Sequence, residues 1–170
     1  SRPYFFDGPI STLVKGNKDV NGVLRIEGTG AEALVFAGMR RGGRSYYGFN
    51  VTDPTDPKYL WRIRGGAGDF QELGYTWSEA KVAKIKLGTV DTDVLVFGGG
   101  YDPVANDALT QGTATMGRGI FVVNARTGAL IWRVGPTPAS GSSPTLVNDG
   151  MTCSIPADVV TLDADSNGYI

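Results

Sequence analysis

Three blocks of sequence occur twice, in the same order, and that repetition limits the possible folds more than any single residue does. Leu34-Val35-Phe36-Ala37-Gly38 is answered by Leu95-Val96-Phe97-Gly98-Gly99. Gly43-Arg44-Ser45-Tyr46-Tyr47-Gly48-Phe49-Asn50 is answered by Gly117-Arg118-Gly119-Ile120-Phe121-Val122-Val123-Asn124, and Leu60-Trp61-Arg62-Ile63 by Ile131-Trp132-Arg133-Val134. A supersecondary unit that recurs in this way cannot bury its faces alone. It must stack on its neighbours.

Each copy reads as strands. Apolar runs at 35–38 and 94–98 end in glycine, and 46–51 and 120–125 are aromatic or β-branched. A turn follows each, Thr52-Asp53-Pro54 in the first copy and Arg126-Thr127-Gly128 in the second, and then a strand carrying tryptophan. Further strands are expected at 10–15 and 81–86, ahead of each copy. With 25 glycines and 9 prolines, and no sustained 3.6-residue period, almost no helix is expected. The expected fold is all-β, a partial β-propeller of about two four-stranded antiparallel blades plus the first strand of a third. The repeats fall at about 8–64 and 78–135, and the third blade begins in 155–170 with a strand at 159–162, so that 1–170 reads as a fragment of one propeller domain. A tryptophan at the same point of each copy suits a knob wedged between adjacent blades, and two blades alone leave flanks exposed.

The composition removes several chemistries. The net charge is −1, with no basic face to track phosphates, so nucleic acid is not an expected partner. The chain has no histidine, which excludes a Ser-His-Asp triad, a Cys-His pair and any His-based metal site within it. Cys153 is the single cysteine, so no disulfide can form within the chain. No run approaches the ~18 apolar residues of a transmembrane helix, and no signal peptide is seen.

Residues 163–169 read Asp-Ala-Asp-Ser-Asn-Gly-Tyr. Oxygen-bearing side chains recur at alternate positions, and a glycine stands where a sharp turn is needed. Calcium is a hard cation that takes six to eight oxygens at roughly 2.3–2.6 Å, and a chain curling around it offers its first, third and fifth side chains and its seventh carbonyl. Those donors are Asp163, Asp165, Asn167 and the carbonyl of Tyr169. The next donor falls at position 171, so the site is expected to be truncated here and the chain to be a piece of a longer protein. The competing reading is a polar turn after a strand.

Other motifs have structural readings. Gly28-Thr29-Gly30-Ala31-Glu32-Ala33 matches a dinucleotide fingerprint, but a strand follows it where a helix is required. Gly98-Gly99-Gly100 is expected to allow close backbone packing. Arg40-Arg41-Gly42-Gly43-Arg44 reads as a hairpin turn with solvated arginines, Asp91 and Asp93 as turn residues before a strand, and the Asn50 sequon as a strand end. The long polar stretch 101–116 lies at a blade edge, where partners bind, without specifying a ligand.

Several stretches resemble one family. Residues 41–54 (Arg-Gly-Gly-Arg-Ser-Tyr-Tyr-Gly-Phe-Asn-Val-Thr-Asp-Pro), Leu73-Gly74-Tyr75-Thr76-Trp77-Ser78, Leu95-Val96-Phe97-Gly98-Gly99-Gly100-Tyr101 and Ser154-Ile155-Pro156-Ala157-Asp158 are similar to the C-terminal β-propeller domain of PilC/PilY-type type IV pilus tip-associated proteins. The resemblance spans nearly the whole chain. It implies a non-enzymatic, calcium-binding propeller at the cell surface or pilus tip of a Gram-negative bacterium, at the outer membrane or in the periplasm. The implied roles are pilus biogenesis, control of extension against retraction, surface attachment and twitching motility, with pilins and host-cell receptors as partners. It carries metal roles onto Asp163, Asp165, Asn167 and, through its carbonyl, Tyr169. The family has aspartate where Asn167 stands and a further aspartate to close the loop, and both departures lower the expected affinity. Residues 124–132, Asn-Ala-Arg-Thr-Gly-Ala-Leu-Ile-Trp, also look like the blade motif of quinoprotein dehydrogenases, which hold pyrroloquinoline quinone with calcium. That enzyme is the alternative reading, and a purely structural scaffold is a third.

Overall fold

A computed structural model describes residues 4–110, 112–138 and 144–170. The first half contains β1 (Ile10–Lys15), β2 (Asn17–Lys18), β3 (Leu24–Arg25), β4 (Glu32–Gly38), β5 (Ser45–Asn50) and β6 (Lys58–Arg64). The second contains β7 (Lys81–Leu87), β8 (Val90–Gly98), a one-turn helix α1 (Pro103–Asn106), β9 (Ile120–Asn124), β10 (Leu130–Gly135) and β11 (Leu146–Val147). The described residues form three sheets, none of them closed. β1-β4-β5-β6 is an antiparallel meander, interrupted by the small β2–β3 hairpin. β7-β8-β9-β10 repeats that meander, with β11 added parallel to β10.

The two meanders share local detail as well as strand order. Gly48 pairs with Trp61 and Val122 with Trp132, and each outer pair then shifts register by one residue. Asn50 and Asn124 cap the same Asx turn, accepting from Thr52 N and Arg126 N at 2.9 Å in both cases. Because the repeats are equivalent, their burial can be compared directly. In the first sheet Tyr46, Gly48, Trp61 and Ile63 are buried, while Tyr47 and Phe49 are half-buried. In the second, Phe121, Val123 and Arg133 are buried, while Ile120, Val122 and Trp132 are half-buried. Successive side chains of a strand point to opposite faces. The tryptophan face of the first sheet therefore packs on the opposite face of the second, and the Trp132 face points away from the contact. The sheets stack head to tail.

The contact is built around Trp61. Its Nε1–H donates to the Ala125 carbonyl at 2.9 Å, and its ring lies against Gly128. Gly128 has φ +68°, and a Cβ there would approach the indole to 2.9 Å, so only glycine fits this turn. Phe36 stacks on Trp61 at 5.8 Å, Tyr46 meets Phe97 at 4.4 Å, and Phe97 stacks on Phe121 at 5.7 Å. A line of charges borders this core. Lys15 and Arg126 both reach Asp93, Arg126 at 2.8 Å, and Arg126 also pairs with Glu32. Burial pushes the Asp93 carboxyl up, but the hydrogen bonds from Lys15 and Arg126 outweigh it and hold the group below the ordinary carboxylate range.

Several expectations are corrected. Residues 159–162 form no strand, and Val160 and Leu162 are exposed, because no described strand runs beside them to satisfy their backbone groups. Asp91 and Asp93 lie inside β8, not in a turn before it. Arg40–Gly42 forms a 3-10 turn, but its arginines are not simply solvated. Arg40 covers the Trp77 ring at 4.5 Å, Arg41 covers Tyr4 at 4.5 Å, and Arg44 donates from Nε to the Leu73 carbonyl at 2.8 Å. The glycine run behaves as read, since a Cβ on Gly100 would sit 2.2 Å from the Tyr75 carbonyl oxygen.

Candidate metal centre

The segment after Leu162 curls as its sequence implies. Ser166 and Gly168 take positive φ, 58° and 88°, and bend the chain back on itself. Asp163 accepts from Asn167 N at 3.0 Å through Oδ1 and from Gly168 N at 2.7 Å through Oδ2. The Gly168 N–H is the main reason the Asp163 carboxyl lies below its ordinary range, against slight burial, with Asn167 and the neighbouring Asp165 side chain adding to it. Asn167 Nδ2 donates to Asp165 Oδ2 at 2.7 Å, and its Oδ1 accepts from Tyr169 N at 2.9 Å. The side chains of Asp163, Asp165 and Asn167 are thus drawn together by the loop's own hydrogen bonds.

Oxygen donors from two carboxylates, an amide and a carbonyl are the right chemistry for a hard cation, and together they would fill four of the six to eight positions calcium takes. Asn167 stands in the third side-chain place. Accordingly, the described residues contain no group of three or more His, Cys, Asp or Glu able to hold a metal.

The loop is moored to the second sheet. The Tyr169 hydroxyl donates to Asp91 Oδ1 at 2.8 Å, its ring lies 4.8 Å from Lys86 Nζ, and Ile170 N donates to the Lys84 carbonyl at 3.0 Å. Asp158 Oδ1 accepts from Glu79 N at 2.7 Å at the other end of the same edge. The segment 158–170 is therefore tied to the β7 side of the second sheet at its two ends, through Glu79 N and the Lys84 carbonyl, while Val160 and Leu162 between them stay exposed.

A second ordered element lies in 101–116. Asp102 is fully buried and caps α1, accepting from Val104 N at 2.9 Å and Ala105 N at 3.4 Å. Its other oxygen accepts from Thr115 N at 2.6 Å, Thr115 Oγ1 at 2.9 Å and Met116 N at 3.2 Å. Burial raises the Asp102 carboxyl, but the Thr115 N–H and hydroxyl prevail and hold it low. Nearby, Arg118 grips the buried Glu72 with two hydrogen bonds of 2.9 and 2.7 Å, tying the segment between the sheets to the start of β9. Sequence reading passed over both groups. Asp-Pro at a helix start was the available sign for Asp102; Glu72 carried none.

No protein-family model matches the chain. Over 121 residues, 68% of its length, it is 26% identical to type IV pilus biogenesis factor PilY1 of Pseudomonas aeruginosa, in each of two strains. The chain spans 9% of the length of these curated relatives. Among solved structures, the C-terminal domain of Pseudomonas aeruginosa PilY1 aligns with a TM-score of 0.48 and 25% identity, over 66% of this chain and 20% of that one. The resemblance to PilC/PilY-type proteins drawn from the sequence motifs is thus borne out. The curated relatives are named as a pilus biogenesis factor, not as an enzyme. No helix of the described residues is long and apolar enough to cross a membrane.

Proposed function

We propose that the chain is part of an extracytoplasmic, non-enzymatic β-propeller in a type IV pilus biogenesis protein, and that its 163–169 loop holds calcium. The observation that carries the pilus assignment is the similarity to PilY1 over 121 residues. Head-to-tail stacking supports the propeller, since a sheet that offers one face to the next and leaves its own opposite face open can be extended by further sheets of the same kind. On the first sheet that open face, with Phe6, Ile10, Val35 and Phe49, lines an apolar cavity of about 340 Å³. On the second it carries Trp132.

In this reading Asp163 and Asp165 donate carboxylate oxygens, Asn167 its amide oxygen and Tyr169 its carbonyl. Bound calcium supplies the positive charge that offsets the repulsion between the two carboxylates. Tyr169 and Ile170 then transmit the order of the loop to β7 and β8, fixing an edge on which a pilus component docks. Pilus extension against retraction, surface attachment and twitching are the processes this edge would serve.

Calorimetric titration with calcium separates the possibilities. The chain is expected to bind with a Kd on the order of 10⁻⁴–10⁻³ M, as for weak extracellular sites, and Asp165→Ala to weaken it about ten-fold or more, the loss of a hard-cation carboxylate. Equal uptake by both removes Asp165 from the site. Binding of purified pilin that is the same in calcium and in chelator would mean that the ion only stiffens a scaffold. The turn that prompted the quinoprotein alternative has a structural use, since Gly128 and the Ala125 carbonyl seat Trp61, so the motif calls for no cofactor.

A further inference from the structure

The segment joining the two sheets carries an aromatic cleft that neither the sheet contact nor the metal loop uses. Residues 74–78 alternate, with Thr76 and Ser78 buried and Tyr75 and Trp77 turned outward. Tyr75 and Tyr101 form an isolated antiparallel bridge, exchanging N–H···O bonds of 2.9 and 2.8 Å. Opposed residues of such a pair share a face, so both rings stand on one side. Trp77 stacks on Tyr101 at 4.7 Å, and Tyr4 and Arg41 form the far wall of a cleft of about 310 Å³ that also includes Asp107. Arg40 sits over Trp77 with φ 51°, a left-handed conformation that side chains rarely adopt, held by its N–H to Thr76 Oγ1 at 3.1 Å. Non-glycine residues kept in that region cluster at ligand sites.

The chemistry of the walls narrows the ligand. Arg41 is paired with Asp7, and Asp107 accepts the Tyr101 hydroxyl. With Arg40 and Arg41 set against Asp7 and Asp107, the cleft carries no net charge to draw in an ion. Trp77 is covered on one face by Tyr101 and approached by Arg40, so it offers no open platform to a polyproline ridge, whereas no ring stacks on Tyr75 among the described residues. Tyr75, half-buried, lines the cleft, and a ring without an aromatic partner suits the C–H face of a single sugar. The guanidinium donates only, the carboxylate accepts only, and tyrosine hydroxyls do both, which matches a ring of hydroxyls that do both in turn. The volume is at the small end of ligand pockets. We propose that the cleft between Tyr4, Tyr75, Tyr101 and Asp107 binds a neutral hexopyranose unit of a glycan. This goes beyond the metal-loop reading and does not depend on it.

NMR on the ¹⁵N-labelled chain tests the proposal. Its three tryptophans give three indole N–H signals, and Trp77→Phe assigns the relevant one. The probes are methyl α-mannopyranoside, methyl β-galactopyranoside and N-acetylglucosamine, each taken to about 50 mM, together with a proline-rich peptide. At least one sugar is expected to shift the Trp77 signal saturably while the Trp61 and Trp132 signals stay in place. Tyr75→Ala and Asp107→Asn, with spectra otherwise unchanged, are each expected to weaken binding about ten-fold, the scale of a lost charged hydrogen bond or ring contact. The proposal is overturned by no saturable shift with any sugar, by equal shifts of all three indoles, by undiminished binding in both variants, or by a response to the peptide alone.

Discussion

Trp61→Ala lowers the stability of the chain by about 3–5 kcal/mol, the range for removing a buried large aromatic side chain. Trp61 is 6% exposed, fills the contact between the two sheets and satisfies the Ala125 carbonyl with its indole N–H. Its removal leaves Gly48 and Gly128 facing an empty slot from opposite sheets, since each would place a Cβ within 3 Å of the indole. Neither glycine can move in to fill the gap, so the cavity stays. Trp132→Ala is the matched control. It occupies the equivalent register position, but on a half-buried face, and is expected to cost about 1 kcal/mol. Urea denaturation followed by near-ultraviolet circular dichroism measures both. Similar losses for the two variants would mean that the sheets do not stack as described.

Asp102→Ala is the second large effect. Four backbone N–H groups and the Thr115 hydroxyl lose their shared acceptor, and each buried donor left unmet costs about 1–3 kcal/mol. The loop is expected to open to water rather than bear the full sum, so the net loss is about 3 kcal/mol, with hydrogen exchange speeding up across 101–116 while β8 and β9 keep their protection. Asp102→Asn keeps the shape but turns an N–H₂ toward N–H donors, and is expected to fall between wild type and alanine. Exchange unchanged over 101–116 in the alanine variant would show that Asp102 does not organise the loop.

Much of this architecture was legible because it is local. Strands β1 and β4 to β10 follow from short apolar runs and turn residues, and the repeat assigns Trp61 and Trp132 alike to sheet contacts, of which Trp61 makes one here and Trp132 lies half-buried on the open face. The 163–169 loop curls through bonds between residues two to five apart, which the spacing of Asp163, Asp165 and Gly168 already implied. What the residues did not disclose depends on partners far away in the chain. The Tyr169 hydroxyl meets Asp91 across 78 positions, and nothing local in either residue foretells it. Asp93 reads as a turn residue because a carboxylate inside a strand looks misplaced until Lys15 and Arg126 arrive from other elements. The β2–β3 hairpin escaped notice because two-residue strands carry no period, and its Val20 and Leu24 are exposed. The cleft was hidden for the same reason as the ion cluster, since Tyr75 and Trp77 meet Tyr101 only through tertiary pairing.

Head-to-tail stacking of repeated sheets is the premise beneath the proposed propeller and the open, half-buried Trp132 face. Proton–proton NOE spectroscopy of the chain tests it most directly. Strong cross-peaks are expected from the Trp61 ring to the Gly128 Hα protons, whose carbon lies beneath the indole, and none between Trp61 and Trp132. Cross-peaks joining the two tryptophans, with Gly128 silent, would place both in one sheet and contradict the account.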